Sequence, residues 1–411
     1  MMNKDRVALW MFVLLLLSYV VNAMDRQLFS VLATDVRTSL DLTVAEVGLA
    51  ATIFTLGMGV AGIPTGYLLG RMSRKNVASL GLIIFSVATF LTAYVQGMPD
   101  LLFYRFITGL GEAMQLTALL AIGTTYFYKH RGVAASSLNF TFGVGAIIGP
   151  NLGAAILSTT DWYMPFKVFG LLGIVILVPI LLFVKPWFSE LKVDDKDKET
   201  AEPIDESDLA DSIWSKKPIL LALATVFAGL AIYSYLGLYP TYLREELGFT
   251  PQQAGLAVSF YGFGALLSLI GGWFGDRFNY RIVLFISLII SAITGGLLFA
   301  GLGSSLALHI VFSFVFGGAI SGMVYANLSA GIIKSVKRFN ASKASGLFVT
   351  SLYVPAAFTG YLLGQLKVIL GWTNAALIMI SLCAVIAAIL SILSRSNRGT
   401  TVGTNSAPIG K

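Results

Sequence analysis

The chain has 411 residues, 56% hydrophobic and 12% charged, with a formal net charge of +7 and a mean hydropathy of +0.81. A soluble domain carries about 25% charged residues, so this composition excludes a water-soluble globular protein. The basic balance does not point to nucleic acid either, because the cations follow the topology described below. The single Cys383 excludes an intramolecular disulfide, and the two histidines, His130 and His309, cannot form a metal cluster by themselves.

Apolar runs of about 20 residues, enough to cross a ~30 Å hydrocarbon core, recur along the chain. They predict an all-α membrane protein with twelve spans, over 7–33, 44–70, 77–97, 101–127, 133–158, 163–184, 218–243, 253–275, 281–302, 306–332, 344–367 and 372–393. Lys4 and Arg6 before the first run, and Val21-Asn22-Ala23 at its far part, also fit a cleaved signal peptide. Retaining that run as a span keeps six on either side of the charged stretch from Lys185 to Lys217. Between Glu190 and Asp211 this stretch holds ten acids and three lysines, the composition of a solvated linker. The expected organisation is a six-helix bundle over 1–188, an acidic linker over 189–216, a second six-helix bundle over 217–394 and a tail over 395–411. With the amino terminus in the cytoplasm, 22 of the 28 Lys and Arg residues fall on the cytoplasmic side. Four (Arg37, Lys167, Arg244, Lys367) fall outside and two (Arg26, Arg105) lie within spans. This bias predicts that both termini are cytoplasmic.

The two halves share a local pattern after their second span. Gly66-Tyr67-Leu68-Leu69-Gly70-Arg71, ending at Lys75, matches Gly272-Trp273-Phe274-Gly275-Asp276-Arg277, ending at Arg281. A glycine in the last turn permits close helix packing, and the cations can anchor at headgroups or hold helix carboxyl ends. The loop resembles the Gly-x-x-x-Asp-Arg-x-Gly-Arg-Arg signature of the major facilitator superfamily, and the span pattern matches that family over the whole chain. The resemblance implies two parallel repeats with substrate bound between them near the midplane. It makes Gly66, Arg71, Lys75, Gly272, Asp276, Arg277 and Arg281 the cytoplasmic gate loops. The first copy has Gly70 where the family usually carries Asp.

Four ionisable residues lie deep within spans: Asp25, Arg26, Arg105 and Glu112. A charge at the bilayer centre costs roughly 2.5–3.5 kcal/mol on insertion scales, so such residues are usually paired and functional. Arg105 and Glu112 are seven apart, close to two helical turns, and share a face. At ~1.5 Å per residue, Asp25, Arg26 and Arg105 are expected at one depth, with Glu112 about 10 Å nearer the cytoplasm. A purely structural clamp is the alternative, but four charges make an inefficient one where glycine packing serves.

An Asp-Arg pair in the first span, with Arg105-Phe-Ile-Thr-Gly-Leu-Gly-Glu112-Ala113 in the fourth, resembles the anion:cation symporter family. That resemblance implies proton coupling by Asp25 and Glu112, and anion binding or gating by Arg26 and Arg105. Spinster-type lipid transporters share the four residues, with Gly62-Ile63-Pro64 and Ser73-Arg74-Lys75-Asn76-Val77 leaning their way. Gly145-x-x-x-Gly149-Pro150-x-x-Gly153 is similar to a motif of drug/proton antiporters and also describes a tightly packed, kinked helix. Further candidates for the substrate cavity are Asn22, Gln115, Asn139, Tyr235, Tyr239, Asn327, Ser351 and Tyr353. There is no ATP-binding Gly-rich Lys motif and no nucleophile–base arrangement of an enzyme. The expectation is therefore a monomeric, proton-coupled symporter of a small organic anion, working by alternating access in a bacterial inner membrane. It would be driven by the proton gradient, with no other cofactor, no metal and no nucleic-acid partner. The alternatives are a lysolipid transporter and a drug/proton antiporter.

Overall fold

The computed structural model describes residues 4–127, 131–191, 209–300, 303–337 and 340–394. His130, the centre of the acidic linker and the tail 395–411 lie outside the described residues. Those described are helical throughout, apart from connections and one isolated bridge between Ala210 and Val336.

The first half contains α1 (Lys4–Ser39), α2 (Val44–Thr52), α3 (Phe54–Leu69), α4 (Arg74–Thr92), α5 (Met98–Tyr126), α6 (Arg131–Leu157), α7 (Met164–Phe183) and the short α8 (Pro186–Ser189). The second contains α9 (Lys216–Glu245), α10 (Pro251–Ala265), α11 (Ser268–Arg277), α12 (Tyr280–Phe299), α13 (Leu306–Gly317), α14 (Tyr325–Ile333), α15 (Ala341–Ala356), α16 (Thr359–Ala376) and α17 (Cys383–Leu393). Eleven stretches among the described residues are long and apolar enough to cross a membrane. The last runs 51 residues, Lys343–Leu393, but Gly371 within it has φ 77° and ψ 168°, which breaks the helix direction. Only glycine takes that φ readily.

The second span of each half starts and breaks alike. Thr43 and Glu46 form a capping box at the start of α2, and Thr250 and Gln253 form one at the start of α10. In each, the hydroxyl accepts from the third helical N–H and the acid or amide returns to the cap N–H, satisfying two otherwise orphaned donors. Each span is then interrupted part-way, at Ile53 in the first half and at Leu266 and Leu267 in the second. The end of the first-half span is pinned by its loop. Glu190 accepts from the N–H groups of Arg74 and Lys75 at 3.0 and 3.2 Å, and Lys75 Nζ donates to the carbonyls of Leu181 and Val184, both at 2.8 Å. An acid at a helix start and a cation at a helix end both complement the helix dipole.

The halves meet along the face opposite the first residues of α1. Here α1 packs on α9, α2 on α16 and α6 on α10. Two ion pairs link the ends of α1 and α9: Asp35 with Arg244, and Arg37 with Glu245 at 2.8 Å. Gly48 and Gly360 lie backbone to backbone, so close that a Cβ on either would collide with the other's main chain. Thr52 Oγ1 donates to the Ala357 carbonyl at 2.8 Å. Toward the face carrying the ends of α1 and α17, Gly62, Gly66, Gly272 and Gly346 look onto open space. The halves are thus closed at the far face, while these glycines toward the terminal face are uncovered.

Candidate functional site

The deep charges pair crosswise between α1 and α5. Arg26 Nε donates to Glu112 Oε2 at 2.8 Å, and Arg105 Nη1 lies 3.5 Å from Asp25 Oδ2. Asp25 and Arg26 are neighbours on a helix, so their side chains leave it about 100° apart. Each therefore finds a different partner on α5. Sequence depth alone set Glu112 apart from the other three; the long Arg26 stem covers that distance.

The pairs differ in tightness and surroundings. Arg105 is 1% exposed, donates through Nε to the Ala50 carbonyl at 3.3 Å, and lies between the rings of Phe29 and Phe54, 5.0 and 5.1 Å from their centroids. Arg26 lies 5.6 Å from the ring centre of Tyr19 and 5.9 Å from that of Phe142. Tyr233 of the second half lines the same cleft as Arg26. Beneath the pairs, Asn22 Nδ2 donates to Gln115 Oε1 at 2.9 Å and Gln115 Nε2 donates to Ser18 Oγ at 2.8 Å.

Several deep polar atoms have no protein hydrogen-bond partner: Arg26 Nη2, Arg105 Nη2, Glu112 Oε1, both carboxylate oxygens of Asp25 and Gln27 Oε1. Each such group costs about 1–3 kcal/mol relative to a satisfied one. A clamp selected for rigidity would satisfy them. Arg26 opens onto a cleft between the halves. Gln27, Ser30, Thr52, Phe54 and Phe142 line it from the first half, and Tyr233, Leu236 and Gly237 from the second.

The other expected positions fall in several places. Tyr353 is 6% exposed, and its ring stands 6.1 Å from that of Tyr233, beside the Arg26 region. Tyr235 and Tyr239 lie instead inside the second half. Tyr235 donates to Ser313 Oγ at 2.9 Å, Tyr239 shares a 2.7 Å hydrogen bond with His309 Nδ1, and the two rings stack at 4.5 Å. They sit about 200° and 240° around α9 from Tyr233, which with Leu236 and Gly237 makes the cleft face. Asn327 ties its helix to the Gly271 and Met323 carbonyls at 3.0 and 2.8 Å. Asn139 and Ser351 are half-buried and do not line the cleft. In the gate loops, Arg71, Arg277 and Arg281 lie over the rings of Tyr67, Trp273 and Tyr280. Gly66 and Gly272 face the open side, and the Asp276 side chain is outside the described residues. Tyr19, Gln27, Ser30, Phe54 and Phe142 were not singled out from the sequence. Gln27 and Ser30 follow Arg26 on one helix, at i+1 and i+4, so the helical period could have found Ser30.

Fold and site together define a multi-pass membrane transporter with a charged centre between two helical halves. The chain belongs to the Major Facilitator Superfamily, which it matches over residues 15–222 and 221–409. It is 23% identical over 387 residues to the hexuronate transporter of Bacillus subtilis, covering 89% of this chain and 90% of that one. It is 25% identical over 273 residues to a probable L-galactonate transporter of Escherichia coli, covering 64% of this chain and 60% of the relative's length. A solved bacterial homologue of the human lysosomal transporter Spinster, inward-facing and occupied, superposes with a TM-score of 0.72 at 17% identity, over 95% of this chain and 97% of that one. This last likeness shows the fold.

Proposed function

We propose that the protein is a proton-coupled symporter of a small organic anion. Twelve helices cross the membrane, the last two divided at Gly371, and both termini lie in the cytoplasm of a bacterial cell. The terminal face is then the cytoplasmic one, and the structure described is open inward.

The observation that carries this reading is Arg26. It is the deep cation that lines the inter-half cleft, one of its donors is unpartnered, and it is bonded to Glu112. A substrate carboxylate that takes the guanidinium forms a charge-assisted bond in a site shielded from water. It also deprives Glu112 of its partner. An unpaired carboxylate surrounded by apolar groups favours its neutral form, so Glu112 takes up a proton as the anion binds. The centre holds two acids and two bases, and one anion with one proton leaves its charge unchanged. Asp25, held by Arg105 at 3.5 Å without a hydrogen bond to either carboxylate oxygen, is the second proton site. The two relatives named for sugar acids support a carboxylate substrate.

The test is uptake into proteoliposomes with and without an inward proton gradient. Glu112→Gln mimics the protonated acid and should keep substrate exchange while losing gradient-driven accumulation. Arg26→Lys should lose affinity despite keeping its charge, because the planar fork is gone. If Glu112→Gln and Asp25→Asn both still concentrate substrate on the gradient, these acids do not couple. If lysolipid binds and carboxylates do not, the anion reading fails.

A further inference from the structure

The centre has two guanidinium groups, yet only one faces the cleft. Arg26 lines it, whereas Arg105 is 1% exposed and absent from its walls. Phe54 stands between them. Its ring lies 5.1 Å from the Arg105 guanidinium and 6.2 Å from the ring of Tyr233, which lines the cleft with it. Phe29 covers Arg105 from another side at 5.0 Å, the Ala50 carbonyl accepts from its Nε at 3.3 Å and Asp25 lies 3.5 Å from its Nη1. Among the described residues, the second half brings no further cation to the cleft. Its described Lys and Arg residues lie within a few positions of helix ends or of the Gly371 break, and His309 is held by Tyr239 and the Gly303 carbonyl.

We infer that the site selects monocarboxylates over dicarboxylates of the same skeleton, and that Phe54 sets this selectivity by screening Arg105 from the cleft. The inference rests on the anion reading above and deepens it to a valence. One carboxylate pairs with Arg26. A second, at the far end of the same molecule, meets Phe54, Phe142, Tyr233 or Leu236, and an ionised carboxylate buried against such groups is strongly disfavoured. The neutral end of a monocarboxylate suits these walls. Its hydroxyls can reach Gln27 Oε1, which is buried without a partner, and Ser30. Carbon–hydrogen faces or an aromatic ring can pack on Phe54 and Phe142.

Two probe pairs test this on the full-length purified protein, by titration calorimetry at pH 7.5, where both carboxyls of each diacid are ionised. One pair is D-galacturonate and D-galactarate; the other is benzoate and terephthalate. The expected result is at least tenfold tighter binding of the monoacid in whichever pair binds. Phe54→Ala should narrow that ratio to about threefold or less, by gain of the diacid as Arg105 becomes reachable. Phe54→Leu keeps an apolar screen and should retain the ratio; it also serves as the folded control. Equal or tighter binding of the diacid by the unmodified protein overturns the valence inference and leaves the anion reading standing. An unchanged ratio in a folded Phe54→Ala overturns the role of Phe54. Binding of none of the four acids removes the anion reading and this inference with it.

Discussion

The far-face closure includes two ion pairs, whose removal has a calculable effect. Changing Arg244 and Glu245 together to glutamine breaks both ion pairs between α1 and α9. The residual Asp35 and Arg37 are of opposite sign, so the patch stays neutral. The side chains involved are 12–29% exposed, between surface and interior. Charges 4 Å apart interact by about 4 kcal/mol at an effective dielectric constant of 20, whereas exposed pairs measure about 0.2–1 kcal/mol. A value of ~1–2 kcal/mol per pair lies between these bounds, so losing both shifts the balance toward a far-face-open state by ~2–4 kcal/mol, about 30- to 900-fold. Ser30 lines the cleft, and Ser30→Cys in a Cys383→Ser background reports access to it. A membrane-impermeant maleimide applied from the far face should label this cysteine faster in the double variant by that factor, until the open state dominates. Raising the salt should speed labelling of the parent, because these pairs are partly screened. A labelling rate unchanged in the double variant would show that the ion pairs do not hold the far face shut.

Three further outcomes are expected. Thr250→Ala removes the cap of α10 and should lower stability by about 1 kcal/mol, read as a drop in detergent melting temperature; no drop would mean membrane packing alone fixes that start. Tyr233→Phe should weaken substrate binding severalfold, whereas Tyr235→Phe should lower stability by about 1 kcal/mol through its lost bond to Ser313 and leave affinity within about twofold; the reverse pattern in binding titrations would place the cleft on the other face of α9. Gly48→Val puts a branched side chain where the Gly360 main chain already lies, so it should trap the far face open and abolish transport while the protein still assembles; normal uptake would refute the backbone seal.

Much of this arrangement was legible because charge in a bilayer is rare and hydropathy is long-ranged. Asp25, Arg26, Arg105 and Glu112 stood out by cost alone, and the structure brings them together between α1 and α5. The pairing was not legible, since a depth estimate in steps of 1.5 Å ignores the reach of an arginine stem and the 100° between neighbours. Tyr235 and Tyr239 drew attention as an i, i+4 pair, but that spacing marks a shared face without saying which way it turns. Here it turns toward Ser313 and His309, and the cleft takes Tyr233. The paired capping boxes were present in the sequence as Thr43-x-x-Glu46 and Thr250-x-x-Gln253. They extend the internal repeat to the far face, beyond the loop motif that revealed it. The apolar cleft residues Phe54 and Phe142 carried no signal, because phenylalanine is among the commonest residues in this chain, at 28 copies.

The contact of Gly48 with Gly360 is made by main chain on both sides. A closure built from side chains can leak as one rotamer flips, since each side chain samples several wells in nanoseconds or less. Two peptide groups pressed together have no such freedom. They separate only when α2 and α16 move apart as whole helices, a collective motion of microseconds to milliseconds. Ions therefore gain no passing route through this contact while α2 and α16 stay docked.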